Sequence, residues 1–279
     1  PLGGTPWAIP GLRGCCNTHQ VQGSPADRGN LQRAPCLTDD MRRRLVGILA
    51  ALVALTTCVT TAPSPAGAAQ DPGPQDWVVK AQKRLNALGC AAGPVDGEVG
   101  PWTRSAVVRF QSRSAMRQSG HLDARTRKRL YDEDAPRCDV RPVPARTGAG
   151  RRIVISQHQN WVWLVGPKGR VVAQGGMVDN PSVLHHGSYA TGSYCGRAAR
   201  IKRNSATSGG LWLDDFVRFA PCGIGFHRIP RHKSNGHQIH ADWILGTDMA
   251  SSHGCIRLSR QLAAQVWRFT TRRTPVRVA

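Results

Sequence analysis

No apolar run in this sequence is long enough to span a bilayer. The longest, Leu45 to Val59, is about 15 residues, against the roughly 20 that a spanning helix needs. Zinc-finger spacing and the aromatic signature of RNA-binding sheets are absent, as is the helical HExxH pattern of zinc peptidases. Acidic residues are scarce: 17 Asp and Glu face 38 Lys and Arg, for a formal net charge of +21. The positive charge is mostly arginine and is spread from Arg13 to Arg277, with no stripe interleaved with aromatics. That scatter argues against nucleic acid as a partner. It leaves a solvated basic surface or attraction to an anionic polymer. What is present is ordinary for a globular protein, 40% hydrophobic and 20% charged residues, and 279 residues give room for one large domain or two small ones plus tails.

Met41-Arg42-Arg43-Arg44, the apolar run, and the small-residue stretch ending in Ala66-Gly67-Ala68-Ala69 have the three parts of a secretory signal peptide over residues 41–69. Contact with a membrane is then expected only through that segment. Residues 1–40 show no helical or strand period and are expected to be a non-native or disordered extension. Nine cysteines become five once Cys15, Cys16, Cys36 and Cys58 are set aside: Cys90, Cys138, Cys195, Cys222 and Cys255. Export favours disulfides, and an odd count leaves one thiol over. Cys90 and Cys138 bracket one small segment, and Cys195 and Cys222 fall in the next. Pairing them so leaves Cys255 free, although four cysteines allow three connectivities.

Residues 76–138 read as three short helices with glycine turns. Val78, Ala81, Leu85 and Leu88 share one face of Trp77 to Leu88; Ala106, Val107 and Phe110 do so in Thr103 to Ser114; Leu130 anchors Asp123 to Tyr131. About 60 residues make a marginal core, which a Cys90–Cys138 bridge would staple. Gln82, Leu85, Gly89, Asp96-Gly97, Gly100, Thr103, Ala106-Val107, Phe110-Gln111, Gly120, Leu122-Asp123, Thr126 and Leu130 together resemble the peptidoglycan-binding type 1 domain. That resemblance implies attachment to the glycan and peptides of a cell wall. Residues 139–150, rich in Pro, Gly and Arg, have the composition of a linker.

From residue 151 to 279 the texture changes to strands: Arg152 to Ser156, Trp161 to Val165, Arg170 to Gly175, short runs at Gly187–Tyr194, Trp212–Phe219 and Ile224–Ile229, and a last strand at Pro275 to Val278. Ser259 to Phe269 is the one good helix. The fold class expected is therefore α+β and multidomain, a small three-helix domain followed by a mostly β catalytic domain.

Ser252-His253-Gly254-Cys255-Ile256-Arg257-Leu258 carries the chemistry. A thiol nucleophile needs a base, and backbone N–H groups for the oxyanion that forms on attack. Gly254 lets the backbone approach a carbonyl closely. His227, in Gly225-Phe226-His227, follows an apolar strand that would hold its ring rigidly, and His240 is the competing base. The run Ser252 to Leu258 resembles the SHGC-x-[RN] nucleophile motif of L,D-transpeptidase catalytic domains of the YkuD type, and Gly225-Phe226-His227 resembles that family's histidine strand.

By that resemblance Cys255 is the nucleophile, His227 the base, His253 shapes the pocket, and the Gly254 and Cys255 amides hold the oxyanion. Ser252, Arg257 and His240 are expected to position groups or bind substrate. His227 lies 28 positions before Cys255 and His240 lies 15, so both stay open as the base. An insertion containing Lys233-Ser234-Asn235-Gly236 would account for the longer spacing.

The resemblance implies a secreted, cofactor-free cell-wall enzyme that forms 3–3 cross-links on stem tetrapeptides with release of D-alanine. Carbapenem β-lactams are implied as covalent inhibitors. An L,D-carboxypeptidase of the same fold, a wall-binding protein without activity, and a zinc peptidase using His237, His240 and Asp242 are the other readings.

Overall fold

The computed structural model describes residues 74–221 and 223–279. The expected signal peptide and N-terminal extension lie outside the described residues. Apolar positions three and four apart turn one face of each of three helices inward: α1 (Pro74–Ala87), α2 (Pro101–Arg113) and α3 (Ala124–Tyr131). Ala81, Leu85, Leu88, Ala106, Val107, Phe110 and Leu130 close the core they share. Asp123 caps α3, its side chain accepting the Thr126 N–H at 2.7 Å.

Two buried glutamines fasten the glycine loops to these helices. Gln82 accepts the Gly97 N–H (2.9 Å) and donates to Asp96 (2.7 Å) and to Thr103 (3.0 Å). Gln111 accepts the Gly120 N–H (2.9 Å) and donates to Thr126 (3.1 Å). An amide side chain offers both a donor and an acceptor, which is why Gln suits each loop. The Cys90–Cys138 disulfide is formed. Cys195 carries a free, exposed thiol, contrary to the pairing expected with Cys222, which lies outside the described residues.

The second half is a sheet of ten strands among the described residues: β1 (Arg152–Ser156), β2 (Trp161–Val165), β3 (Val171–Val178), β4 (Gly187–Ala190), β5 (Arg200–Ser205), β6 (Leu211–Arg218), β7 (Gly225–Arg228), β8 (Arg231–His232), β9 (Ile256–Leu258) and β10 (Pro275–Val278). Their order is β4-β10-β1-β2-β3-β9-β7-β6-β5, with β8 also on β6. Strand β3 joins the two halves, pairing with β2 along its length and with β9 through Met177 and Val178. Helix α4 (Arg260–Phe269), capped by Ser259, buries Leu262, Ala263 and Val266 against the sheet, where they meet Ile153, Leu164, Phe219, Phe226 and Ile256. The division into a helical part and a mostly β part is the one expected from the sequence. Among the described residues, no helix is long and apolar enough to cross a membrane.

Two buried arginines join the helical part to the sheet. Arg109 of α2 donates to the carbonyls of Leu245 (2.8 Å), Trp243 (2.6 Å) and Cys90 (2.8 Å). Arg141 donates to the Cys138 and Gln159 carbonyls (both 3.0 Å) and lies 4.1 Å over the Trp161 ring. Burial pushes Arg109 down to about 10 and Arg141 down to about 9, so both remain charged at neutral pH. The segment 139–150 forms no helix or strand, yet Arg141 and Thr147 within it are buried.

Candidate active site

Strand β9 begins directly after Cys255 and runs parallel to β7, with Phe226 opposite Ile256 and His227 opposite Arg257. Side chains alternate along a strand. Phe226 and Ile256 point into the core, so His227, Cys255 and Arg257 belong to the other face. The 28-residue interval between base candidate and thiol is therefore no obstacle, because pairing brings them one pleat apart. Between them the chain turns back as β8, which pairs with β6 through Leu211 opposite His232 and Trp212 opposite Arg231. The Lys233–Gly236 insertion is the tip of that small excursion.

His227 is 2% exposed and stacks on Phe216 with ring centroids 6.1 Å apart. Its Nδ1 lies 2.5 Å from the Arg228 carbonyl oxygen. A carbonyl only accepts, so Nδ1 carries the hydrogen and Nε2 is left with the lone pair a base requires. Burial pushes His227 down to about 4, against a smaller upward pull from that carbonyl. The Cys255 thiol donates to the Gly223 carbonyl at 3.7 Å. Burial raises the thiol's pKa, opposed by the Gly225 N–H and by the charges of Arg218 and Arg257. Both groups are thus held neutral at neutral pH, a thiol and an unprotonated imidazole that line one cavity.

The loop entering Cys255 is tightly specified. Gly254 has φ of +117°, and a Cβ there would lie 2.8 Å from Val183 Cγ1. Ser252 is buried; its N–H donates to the Asp179 carbonyl (3.0 Å), and Asn180 donates to its carbonyl (2.9 Å). Its Oγ accepts the Gly254 N–H at 2.9 Å. This corrects one expectation, since the Gly254 amide is already committed within the loop and is not a free oxyanion donor. His253 is exposed and lines the cavity at Cys255. His240 is half-buried and is not among the residues lining that cavity, and burial followed by the charge of Arg257 lowers its pKa. No three His, Cys, Asp or Glu side chains gather as metal ligands among the described residues.

Cys255, His227, Ser252, His253 and Arg257 all line one cavity of about 500 Å³. The tip of the β5–β6 hairpin, Asn204 to Ser208, forms another wall. Sequence reasoning missed Arg218, Arg197 and this hairpin. Arg218 did leave a signal, a charge set within the apolar stretch Phe216-Val217 to Phe219-Ala220.

The chain matches two family models: a peptidoglycan binding domain over residues 75–130 and the YkuD L,D-transpeptidase catalytic domain over residues 140–278. Among solved structures it is similar to an L,D-transpeptidase from Xylanimonas cellulosilytica, with 23% identity over 73% of this chain and 93% of that one, TM-score 0.44. It is also similar to one from Stackebrandtia nassauensis, with 17% identity over 73% and 91%, TM-score 0.37. A third is an Enterococcus faecium L,D-transpeptidase C442S mutant, with 16% identity over 47% and 50%, TM-score 0.37. No curated protein matches.

Proposed function

Because this chain belongs to the YkuD family of L,D-transpeptidase catalytic domains and carries a peptidoglycan binding domain before it, we propose that it cross-links wall peptides through an acyl-enzyme on Cys255. The observation that carries this reading is the presence of Cys255 and His227 on one face of paired strands, lining a common cavity. His227 takes the thiol proton through Nε2, and the sulfur attacks the carbonyl of the third residue of a stem tetrapeptide, a diamino acid. The Cys255 amide stabilises the oxyanion. The tetrahedral intermediate collapses as the imidazolium protonates the leaving nitrogen, and D-alanine departs.

The side-chain amine of a second stem then attacks the thioester, and Cys255 returns as a thiol beside a 3–3 cross-link. His227 is favoured over His240 by its place in the cavity wall. Ser252 and Gly254 hold the loop, while His253 and Arg257 face the substrate. The Cys90–Cys138 bridge and the wall-binding domain support export to the cell wall, for which residues 41–69 supply the signal.

The test is incubation of the protein with a carbapenem followed by intact mass. One covalent adduct is expected, absent from Cys255→Ala; an adduct retained in that variant would falsify the assignment. His227→Ala should slow acylation by about 10²–10⁴ and His240→Ala far less. Digested walls treated with the enzyme should yield 3–3 dimers, whereas tripeptides alone would make it an L,D-carboxypeptidase.

A further inference from the structure

Among the described residues, the cavity at Cys255 is lined by three arginines, Arg197, Arg218 and Arg257, and by no aspartate or glutamate. Arg197 is exposed, and Arg257 donates to the Ser251 carbonyl at 3.3 Å. Arg218 differs from both. It is 2% exposed, its Nε donates to the Ala198 carbonyl at 3.3 Å, and its guanidinium lies 4.9 Å from the centre of the Phe216 ring. Among the described residues its two terminal nitrogens have no hydrogen-bond partner, and it joins no salt bridge. The carboxylates on the same strand are engaged elsewhere: Asp214 by Arg231 at 2.6 Å and Asp215 by Lys202.

A buried cation without a counter-ion is costly, and one whose open nitrogens face a cavity is matched by an anion arriving there. Gly223 locates that anion relative to the thiol. Its carbonyl accepts from Cys255 at 3.7 Å, and a Cβ built on it would stand 3.5 Å from Arg218 Nη1. Arginine and nucleophile thus flank the same residue.

Under the reaction proposed above, one carboxylate of the donor always lies close to the sulfur. It belongs to the terminal residue, two bonds beyond the nitrogen that leaves. We propose that Arg218 is a specificity-determining residue that binds this terminal carboxylate and so confines donors to stems ending one residue past the attacked carbonyl. The inference rests on that reading of the reaction. As the Cys255 sulfur bonds to the carbonyl carbon, the carbon–nitrogen bond breaks and the nitrogen takes its proton from His227. The amino acid departs with its carboxylate still paired to Arg218. A planar guanidinium suits a two-oxygen anion, whereas a carboxamide presents an N–H to the arginine's own donors and an added residue moves the charge away.

The test compares three donors on the full chain by the rate of acyl-enzyme formation: a stem tetrapeptide with a free terminal carboxylate, its carboxamide, and the stem extended by one D-alanine. Wild type should acylate from the carboxylate at least about tenfold faster than from either other donor. In Arg218→Gln that ratio should fall towards one through loss on the carboxylate donor, and Arg218→Lys should keep part of it. Equal rates with carboxylate and carboxamide on wild type overturn the inference, whether or not the variants fold, and leave the transpeptidase reading intact. Iodoacetamide, which carries no carboxylate, reports the thiol independently. If it alkylates Cys255 while no donor acylates the enzyme, the proposed reaction fails and the role of Arg218 with it.

Discussion

Burial acts on His227 and Cys255 in opposite directions on the pH scale and to the same chemical end. The imidazole is pushed down to about 4 and the thiol is pushed up, so the neutral pair is the resting state across the neutral range. The acid limb of acyl-enzyme formation, followed as kcat/KM against pH, should therefore fall near pH 4. A limb near the ordinary histidine value of 6.5 would show that His227 is solvated or is not the base. The same shift has a consequence for stability. A histidine with a depressed folded pKa binds fewer protons folded than unfolded between the two values, so stability rises with pH across that interval. His227's contribution is fully present above about pH 6.5 and is lost as pH falls towards 4, on the order of 3 kcal/mol in all. Urea unfolding between pH 4 and 7 should show that slope in wild type, and His227→Gln should flatten it.

The nucleophile loop depends on a backbone that only glycine adopts without strain. Gly254→Ala places a methyl group at positive φ and against Val183, at a cost of about 1–3 kcal/mol. It should slow carbapenem acylation by about tenfold or more while iodoacetamide still labels Cys255, because displacing a thiol harms an aligned attack more than a simple alkylation. An unchanged acylation rate would mean that the loop conformation does not aim the sulfur. How much of this was legible depends on the element. Strands β1, β2 and β10 have the bounds their apolar runs predict, since Ile153, Leu164 and Val276 are buried and polar residues such as Gln157 to Asn160 end the runs. Strand β5, Arg-Ile-Lys-Arg-Asn-Ser, is not legible because it is the largely exposed arm of its hairpin with one apolar residue in six, so nothing in it alternates. Its partner β6 was seen, but the cavity wall that the two build could not be, because it exists only once the hairpin is folded over the site. His227 was legible from its flanking apolar residues. The commitment of the Gly254 amide to Ser252 was not, since it is set by a loop geometry that composition does not encode.

Among the described residues, the helical part is joined to the site through charge buried without a carboxylate. Arg109, on α2, satisfies the carbonyls of Trp243 and Leu245, a short turn that leads directly into the loop ending at Ser252. Its third acceptor, the Cys90 carbonyl, and the Cys138 carbonyl that Arg141 holds both belong to the disulfide. The bridge closes a loop of 48 residues, so by loop-closure entropy its removal as Cys90→Ser with Cys138→Ser should cost about 4 kcal/mol. Loss of the docking arginine is a different perturbation. Arg109→Met keeps the bulk of the side chain but strands the Leu245, Cys90 and Trp243 carbonyls, each buried loss costing about 1–3 kcal/mol, and it falls on both parts together. The two parts should therefore unfold in one calorimetric transition in wild type and in two in Arg109→Met, with the sheet domain's transition moved down. One transition at a lowered temperature in both variants would mean that packing elsewhere, and not this guanidinium, joins them. Acylation by a carbapenem should slow in Arg109→Met but not in the disulfide variant at temperatures where each remains folded, because only the arginine touches the turn that feeds Cys255.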